Sequence, residues 1–354
     1  MRSLRTNKTL RTNVITYAVV VAAFVLFQAL GSAGVLSSTM KGQLVPICAY
    51  VLMALSLNLT VGILGELSLG HAGFMSVGAF AGAVTASAMQ NSVPSSALRL
   101  TVAVLVGAVL AAIVGVLIGI PVLRLNGDYL AIVTLAFGEI IKSIVNNLYI
   151  GMDVNGLHVS FLNNTIVLGE GGRMILSGPM GVPGIKKTAT FAAGFILILI
   201  ALFVIFNLVN SRAGRAIMAL RDNRIAAESV GINVTKYKLM AFVISAAIAG
   251  AGGALYGQAQ NAIIATKFDF NTSILILVFV VLGGMGNMLG SIFAAALLTV
   301  LPELLRSLND YRMLIYAIVL ILMMLFNSAP AMIQWREQMT EKLREKFGKE
   351  KKEG

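Results

Sequence analysis

Charge is what this sequence has little of. Charged residues fill 12% of its 354 positions against 58% hydrophobic ones, and the mean hydropathy is +0.88. That balance excludes an ordinary soluble globular domain and points to a polytopic membrane protein. Cysteine occurs once, as Cys48, which excludes an internal disulfide and forms no CxxC or Cys/His spacing, so it reads as a small packing residue. The two histidines, His71 and His158, are too far apart to seed a zinc site. There is no GxxxxGK[ST], no GxSxG and no HExxH. The chain is therefore expected to be no enzyme, to hold no cofactor or metal of its own, and to hydrolyse no ATP. A net charge of +12 would suit nucleic acid, but the Lys and Arg residues are scattered between apolar runs without interleaved aromatics, so no nucleic-acid partner is expected. The apolar runs also lack the closely repeated Asp, Glu or His of a proton relay. A carrier using backbone carbonyls at broken helices stays open, because glycine-rich breaks occur at 62–73 and 283–290.

What is present is a series of apolar windows of about 20 residues, each long enough to cross the hydrocarbon as a helix. We read ten: 14–36, 43–62, 71–90, 99–123, 128–150, 189–210, 237–260, 271–286, 287–306 and 312–332. The eighth and ninth share a short break, GGMGNMLG, and are expected to be bent or partly re-entrant. The expectation is an all-α membrane domain over 14–332. It is flanked by a cytoplasmic N-terminal segment, 1–13, and a basic cytoplasmic tail, 333–354. The first window is too long for a cleavable signal peptide and reads as a retained helix, against cleavage near Gly31-Ser32-Ala33.

Placing both termini inside gathers most of the positive charge on one side: four basic residues in 1–13, Arg124, six in 211–238 and seven in the tail, leaving nine of 27 outside. In the tail, Trp335, Met339, Leu343 and Phe347 recur every four residues, which suits an amphipathic helix lying on inner-leaflet lipid.

The polar interruptions carry the candidates for function. Glu66 and His71 sit among glycines in GILGELSLGHAGF, and Glu66 is expected to be solvated or to cap a helix. In LNGDYLAIVTLAFGEIIK, Asn126-Gly127 makes a turn and Asp128 caps the next helix, while Glu139 and Lys142 share a face at i, i+3. We expect that pair to be structural, buried, and near the outer end of its helix. Segment 151–188 is the largest outer loop, broken by glycines and by Pro179 and Pro183. Its length suits a cap or docking surface with room for a short membrane-surface helix, and equally a solvated connection of no specific role. The longest basic interruption is SRAGRAIMALRDNRIAAESVGINVTKYK, 211–238, where Asp222 or Asn223 can cap a short helix and Gly231 can end it.

Four blocks appear in order: LNLTVGILGELSLGHAGFMSVGAF, LRLNGDYLAIVTLAFGEIIK, GRAIMALRDNRIAAESVGINVTKYKLMAFVISAAIAGAGGALYG and LGGMGNMLGSIFAAALLTVLPELLR. Together they resemble the permease subunit of bacterial branched-chain amino acid ABC transporters, of the LivM-like type, from about residue 45 to 330. The sequence departs from that pattern at 151–156 and at Asn287 and Ser291. The resemblance implies a multi-pass permease of the bacterial inner membrane that moves leucine, isoleucine or valine. It also implies a second homologous permease subunit, two cytoplasmic ATPase subunits that bind the ATP, and a periplasmic binding protein. Within the coupling loop, 211–236, it assigns contact with the ATPases to Arg221, Ala226, Ala227, Glu228 and Gly231. We place Ser68, His71 and Ser76 as candidates for the translocation path. The alternatives are a permease for urea, short amides or another small solute of the same family, and a self-sufficient secondary carrier.

Overall fold

The computed structural model describes residues 2–34, 37–90, 92–125, 127–153, 156–163, 165–166, 168–169, 172–305 and 311–328. The amphipathic tail and the Asn126 half of the expected turn lie outside the described residues. By its internal contacts the chain divides into residues 1–297 and residues 298–354.

Helices occupy every expected window. They are α1 (Arg2–Ser32), α2 (Ser38–Asn58), α3 (His71–Ala88), α4 (Ser96–Val122), α5 (Asp128–Asn146) and α6 (Phe191–Asn210), then the short α7 (Arg212–Asp222) and α8 (Arg224–Ser229), then α9 (Val234–Ala259), α10 (Phe270–Gly283), α11 (Met288–Leu304) and α12 (Arg312–Ser328). Six helical stretches among the described residues are long and apolar enough to span a bilayer: 13–32, 38–64, 96–122, 191–210, 234–259 and 265–283. The last is α10 with the 3₁₀ turn before it, and α11 follows as a shorter apolar helix. Of the 298–354 unit, α12 is described; it exposes Leu314, Ile318, Ile321, Leu322 and Leu325, which recur at helical spacing along one apolar face.

Small residues build the centre of the 1–297 unit. α9 packs most extensively against α4 and α3, and also against α2. A methyl added at Gly253 would fall on the backbone of Met75, one at Gly78 on the backbone of Gly250, and one at Gly250 on Gly107 and Ala111. Lipid gives helices no hydrophobic reason to associate, so close van der Waals approach at glycine supplies the contact instead. Around this seam lie fully buried larger side chains, including Leu52, Met53, Leu55, Met75, Phe242 and Phe279. α1 joins from the side through Phe24, stacked on Phe195 at 4.1 Å between ring centroids, and through Tyr17 against Phe206.

Two departures from the sequence expectations have physical causes. α5 stops at Asn146, and the next residues begin a three-stranded antiparallel sheet in the order β2-β1-β3, with β1 Leu148–Asp153, β2 Gly156–Phe161 and β3 Arg173–Ser177. The outer segment therefore adds a sheet where its length left room for a surface helix. Leu157, Val159 and Phe161 alternate with Gly156, His158 and Ser160, and that period of two belongs to a strand. Arg173 fixes the sheet to the end of α3 by donating to the carbonyl of Ser87.

The second departure is at the end of α2. The helix continues as a π turn, Leu59–Leu64, closes at Gly65 with φ +82°, and then runs without helix to α3. Of that stretch, Leu69 donates its N–H to Thr134 Oγ1 at 3.0 Å.

Candidate functional site

The basic interruption folds as two short helices whose caps the sequence anticipates. Ser211 accepts from Gly214 N to start α7, and Asn223 ends α7 and accepts from Ala226 N at 3.1 Å to start α8. Gly231, at φ +82°, turns the chain out of α8, and Asn233 then caps α9. Ala227 is buried with Leu220 and Val234, which holds α8 against α7 and α9. Ala226, Glu228, Ile225 and Val230 remain exposed, the last two at 77% and 75%. Glu228 faces Arg224 at 3.2 Å on the same helix. Arg221, also exposed, reaches back to the bundle: its stem lies along Gly65 and its guanidinium donates to the carbonyl of Gly62 in the π turn.

Gly62 also touches the second glycine-rich break. A methyl there would strike the backbone of Gly286, whose N–H donates to Asn58 Oδ1 at 2.7 Å, while Asn58 Nδ2 donates to Ser291 Oγ at 2.8 Å. The breaks at 62–73 and 283–290, far apart in sequence, thus meet under Arg221. Asn287 caps α11 by accepting from Gly290 N, so both departures from the family pattern, Asn287 and Ser291, have structural work at this junction.

Glu66 is neither solvated nor a cap. It forms an ion pair with Lys238 of α9, with side-chain exposures of 14% and 4%. Periodicity carries no trace of this contact, because the partners are 172 positions apart.

Deeper in the bundle, His71 is fully buried, with Nε2 2.6 Å from Ser56 Oγ and 3.1 Å from Ser245 Oγ. Ser245 Oγ also lies 2.6 Å from the Ser56 carbonyl and receives Thr60 Oγ1 at 2.8 Å. Giving the single Ser245 proton to Ser56 O and the Ser56 proton to Ser245 O makes Nε2–H the donor of the neutral imidazole. Nδ1 is left without a partner, as are Ser68 Oγ and Ser76 Oγ. All three path candidates, Ser68, His71 and Ser76, are buried inside the chain's own helices. Among the described residues, no three His, Cys, Asp or Glu side chains gather as a metal set.

The pair of Glu139 and Lys142 forms as expected, but it is not buried: the side chains are 40% and 27% exposed. Glu139 lies on the middle turns of α5, and Lys142 about one turn before its end at Asn146. Gly138 lies against Gly70 and Gly73, level with His71 and hence with the interiors of α2 and α9.

A cleft of about 170 Å³ opens elsewhere, among Thr16, Ile63, Phe206, Asn210 and Gly286, where α1 and α6 approach the joined breaks.

Comparison with known proteins meets this geometry. Residues 39–325 match the family described as "Branched-chain amino acid transport system / permease component". The high-affinity branched-chain amino acid transport system permease protein LivM of Salmonella typhimurium is 38% identical over 302 residues, covering 82% of this chain and 69% of its own. LivM of Escherichia coli is 37% identical over the same shares. A more distant relative, the nucleoside ABC transporter permease protein NupC of Lactococcus lactis, is 26% identical over 207 residues, 55% of this chain and 59% of its own. No solved structure matches the chain. The matched span takes in both glycine breaks, the buried His71 cluster and the α7–α8 element. The chain is a multi-pass membrane protein and belongs to the permease-component family of branched-chain amino acid transport systems.

Proposed function

We propose that this chain is the translocating permease of an ABC importer for branched-chain amino acids in the bacterial inner membrane. It works with a second homologous permease, two cytoplasmic ATPases and a periplasmic binding protein. The ten helices α1–α6 and α9–α12 cross the membrane, both termini are cytoplasmic, and the sheet faces the periplasm, where its exposed Leu157, Val159 and Phe161 offer a surface to the binding protein.

The observation that carries this reading is the α7–α8 element. A loop that merely held positive charge inside would need neither two cap-defined helices nor two large apolar side chains in solvent. Ile225 on α8 and Val230 just past its end suit an apolar socket of the ATPase, with Ala226 allowing close approach and Glu228 available to a basic group at its rim. Arg221 acts from behind. Its bond to the Gly62 carbonyl, with Lys238 on Glu66, passes a displacement of α7–α8 to the π turn of α2, to the start of α3 and to α9. ATP-driven closure of the partners thereby reaches the helices that border the path.

The test is reconstitution. Ile225→Asp with Val230→Asp, and separately Glu228→Lys or Gly231→Trp, are expected to abolish leucine uptake while membrane insertion persists. The double aspartate variant is also expected to lose the co-purifying ATPase. Unchanged uptake and co-purification in all of them would reject the coupling role. Ion-coupled uptake by this chain alone would reject the importer reading. Competition of labelled leucine uptake by unlabelled amino acids, amides and sugars tests the substrate class.

A further inference from the structure

A pair of opposite charges stands on α5 where lipid would not accept it. The helix has 19 residues, so at about 1.5 Å per residue it spans roughly 28 Å, close to the thickness of the hydrocarbon core. Glu139 is on its middle turns. The packing of Gly138 against Gly70 and Gly73 fixes the same level independently, because His71 beside them bonds to Ser56, inside the continuous helical stretch 38–64, and to Ser245 in the middle of α9. Around Glu139 the helix is polar on one face: Glu139, Lys142, Ser143 and Asn146 recur at i, i+3, i+4 and i+7, and none of the four is buried. Among the described residues the two charges ion-pair with each other alone. They do not moor α5 to a neighbour, although Lys142 lies within electrostatic reach of Asp269 at the start of α10.

An ionisable group at mid-membrane depth faces a bundle interior or a water-filled passage. This one does not face the interior of its own chain. We propose that this face of α5 lines the translocation path and grips the zwitterionic backbone of an α-amino acid, Glu139 taking the ammonium and Lys142 the carboxylate. The proposal rests on the importer reading above. With no cargo the two charges neutralise each other. A zwitterion of zero net charge can insert between them, meeting each charge with its opposite and leaving the face neutral throughout. A neutral amide or sugar offers nothing to compensate opening the pair, and a cationic or anionic solute would set a like charge beside one member of it. Exposed Ile132, Ala136 and Ile140 beside the charges give a hydrocarbon side chain an apolar surface. The competing occupant is the second permease subunit, pressed directly on the pair.

The experiment uses the complete importer in proteoliposomes and measures leucine uptake, binding-protein-stimulated ATP hydrolysis and retention of the companion permease. Glu139→Gln and Lys142→Gln are each expected to lower uptake on the order of tenfold or more, the size of one charge-assisted hydrogen bond, with hydrolysis and retention within about twofold of the unaltered complex. The charge swap, Glu139→Lys with Lys142→Glu, restores the helical pair but presents each end of the amino acid to a like charge, and it is expected not to restore uptake. Unchanged uptake in the single variants, rescue by the swap, or loss of the companion subunit together with uptake would each overturn the proposal. If the unaltered complex shows no ATP-dependent uptake, the importer reading itself fails.

Discussion

Two polar groups of this membrane protein are handled in opposite ways. The cluster of Ser56, Thr60, His71 and Ser245 is completely buried, and its hydroxyls bond to one another, to the imidazole and to backbone carbonyls of α2 and α9. The stripe of Glu139, Lys142, Ser143 and Asn146 on α5 is open, and among the described residues its two charges ion-pair with each other. In lipid a polar group that is not satisfied internally must have another reason to be there. The hydroxyls of the first cluster and His71 Nε2 meet their needs inside the chain, with Nδ1 alone left over, and so the cluster reads as architecture. The second does not, and so reads as contact with something outside the chain.

If that contrast holds, stability and transport should respond in opposite orders across a series of variants. Gly250→Leu is expected to have the largest effect on folding, because the added side chain meets the Gly107 and Ala111 contacts of α4; no folded protein should be recovered by size exclusion in detergent. Lys238→Ala strands a carboxylate that is 14% exposed and is expected to cost about 3 kcal/mol, read as a lowered thermal midpoint. Removing both charges, Glu66→Gln with Lys238→Met, should recover most of that loss. Ser245→Ala removes a donor from the His71 cluster and is expected to cost about 1–3 kcal/mol while leaving the solute preference of uptake unchanged. Glu139→Gln comes last: breaking an exposed pair within one helix should change stability by less than about 0.5 kcal/mol, yet uptake should collapse. A large loss of stability in Glu139→Gln, or altered solute preference in Ser245→Ala, would erase the distinction.

The features that the sequence made legible are those determined within a few residues. The helices of the ten apolar windows are present, and Asn223 and Gly231 act as cap and exit for α8 because capping depends on the next three residues alone. The alternation in 157–161 was equally available, but the glycines around it read as a loop and hid a strand. Contacts between distant segments were not legible. Hydropathy marks Glu66, Arg221 and the two glycine breaks as polar or irregular, but Lys238 beneath Glu66, the Gly62 carbonyl under Arg221 and the meeting of Gly62 with Gly286 arise only when the helices assemble. Glu139 and Lys142 show the same limit. Their spacing gave the pair, but whether a pair faces inward or outward depends on which side of α5 the neighbouring helices cover.

The stretch between the π turn and α3 bears on the order in which the protein is made. This stretch and the first turn of α3 find partners on helices synthesised later: Leu69 N uses Thr134, 65 positions on, the Glu66 carboxylate waits for Lys238 at 172, and Ala72 N uses Ser273 at 201. Backbone outside a helix is not tolerated against lipid. The start of α3 therefore cannot reach its final place when it leaves the ribosome, and the first half of the chain is completed only after α5, α9 and α10 have entered the membrane.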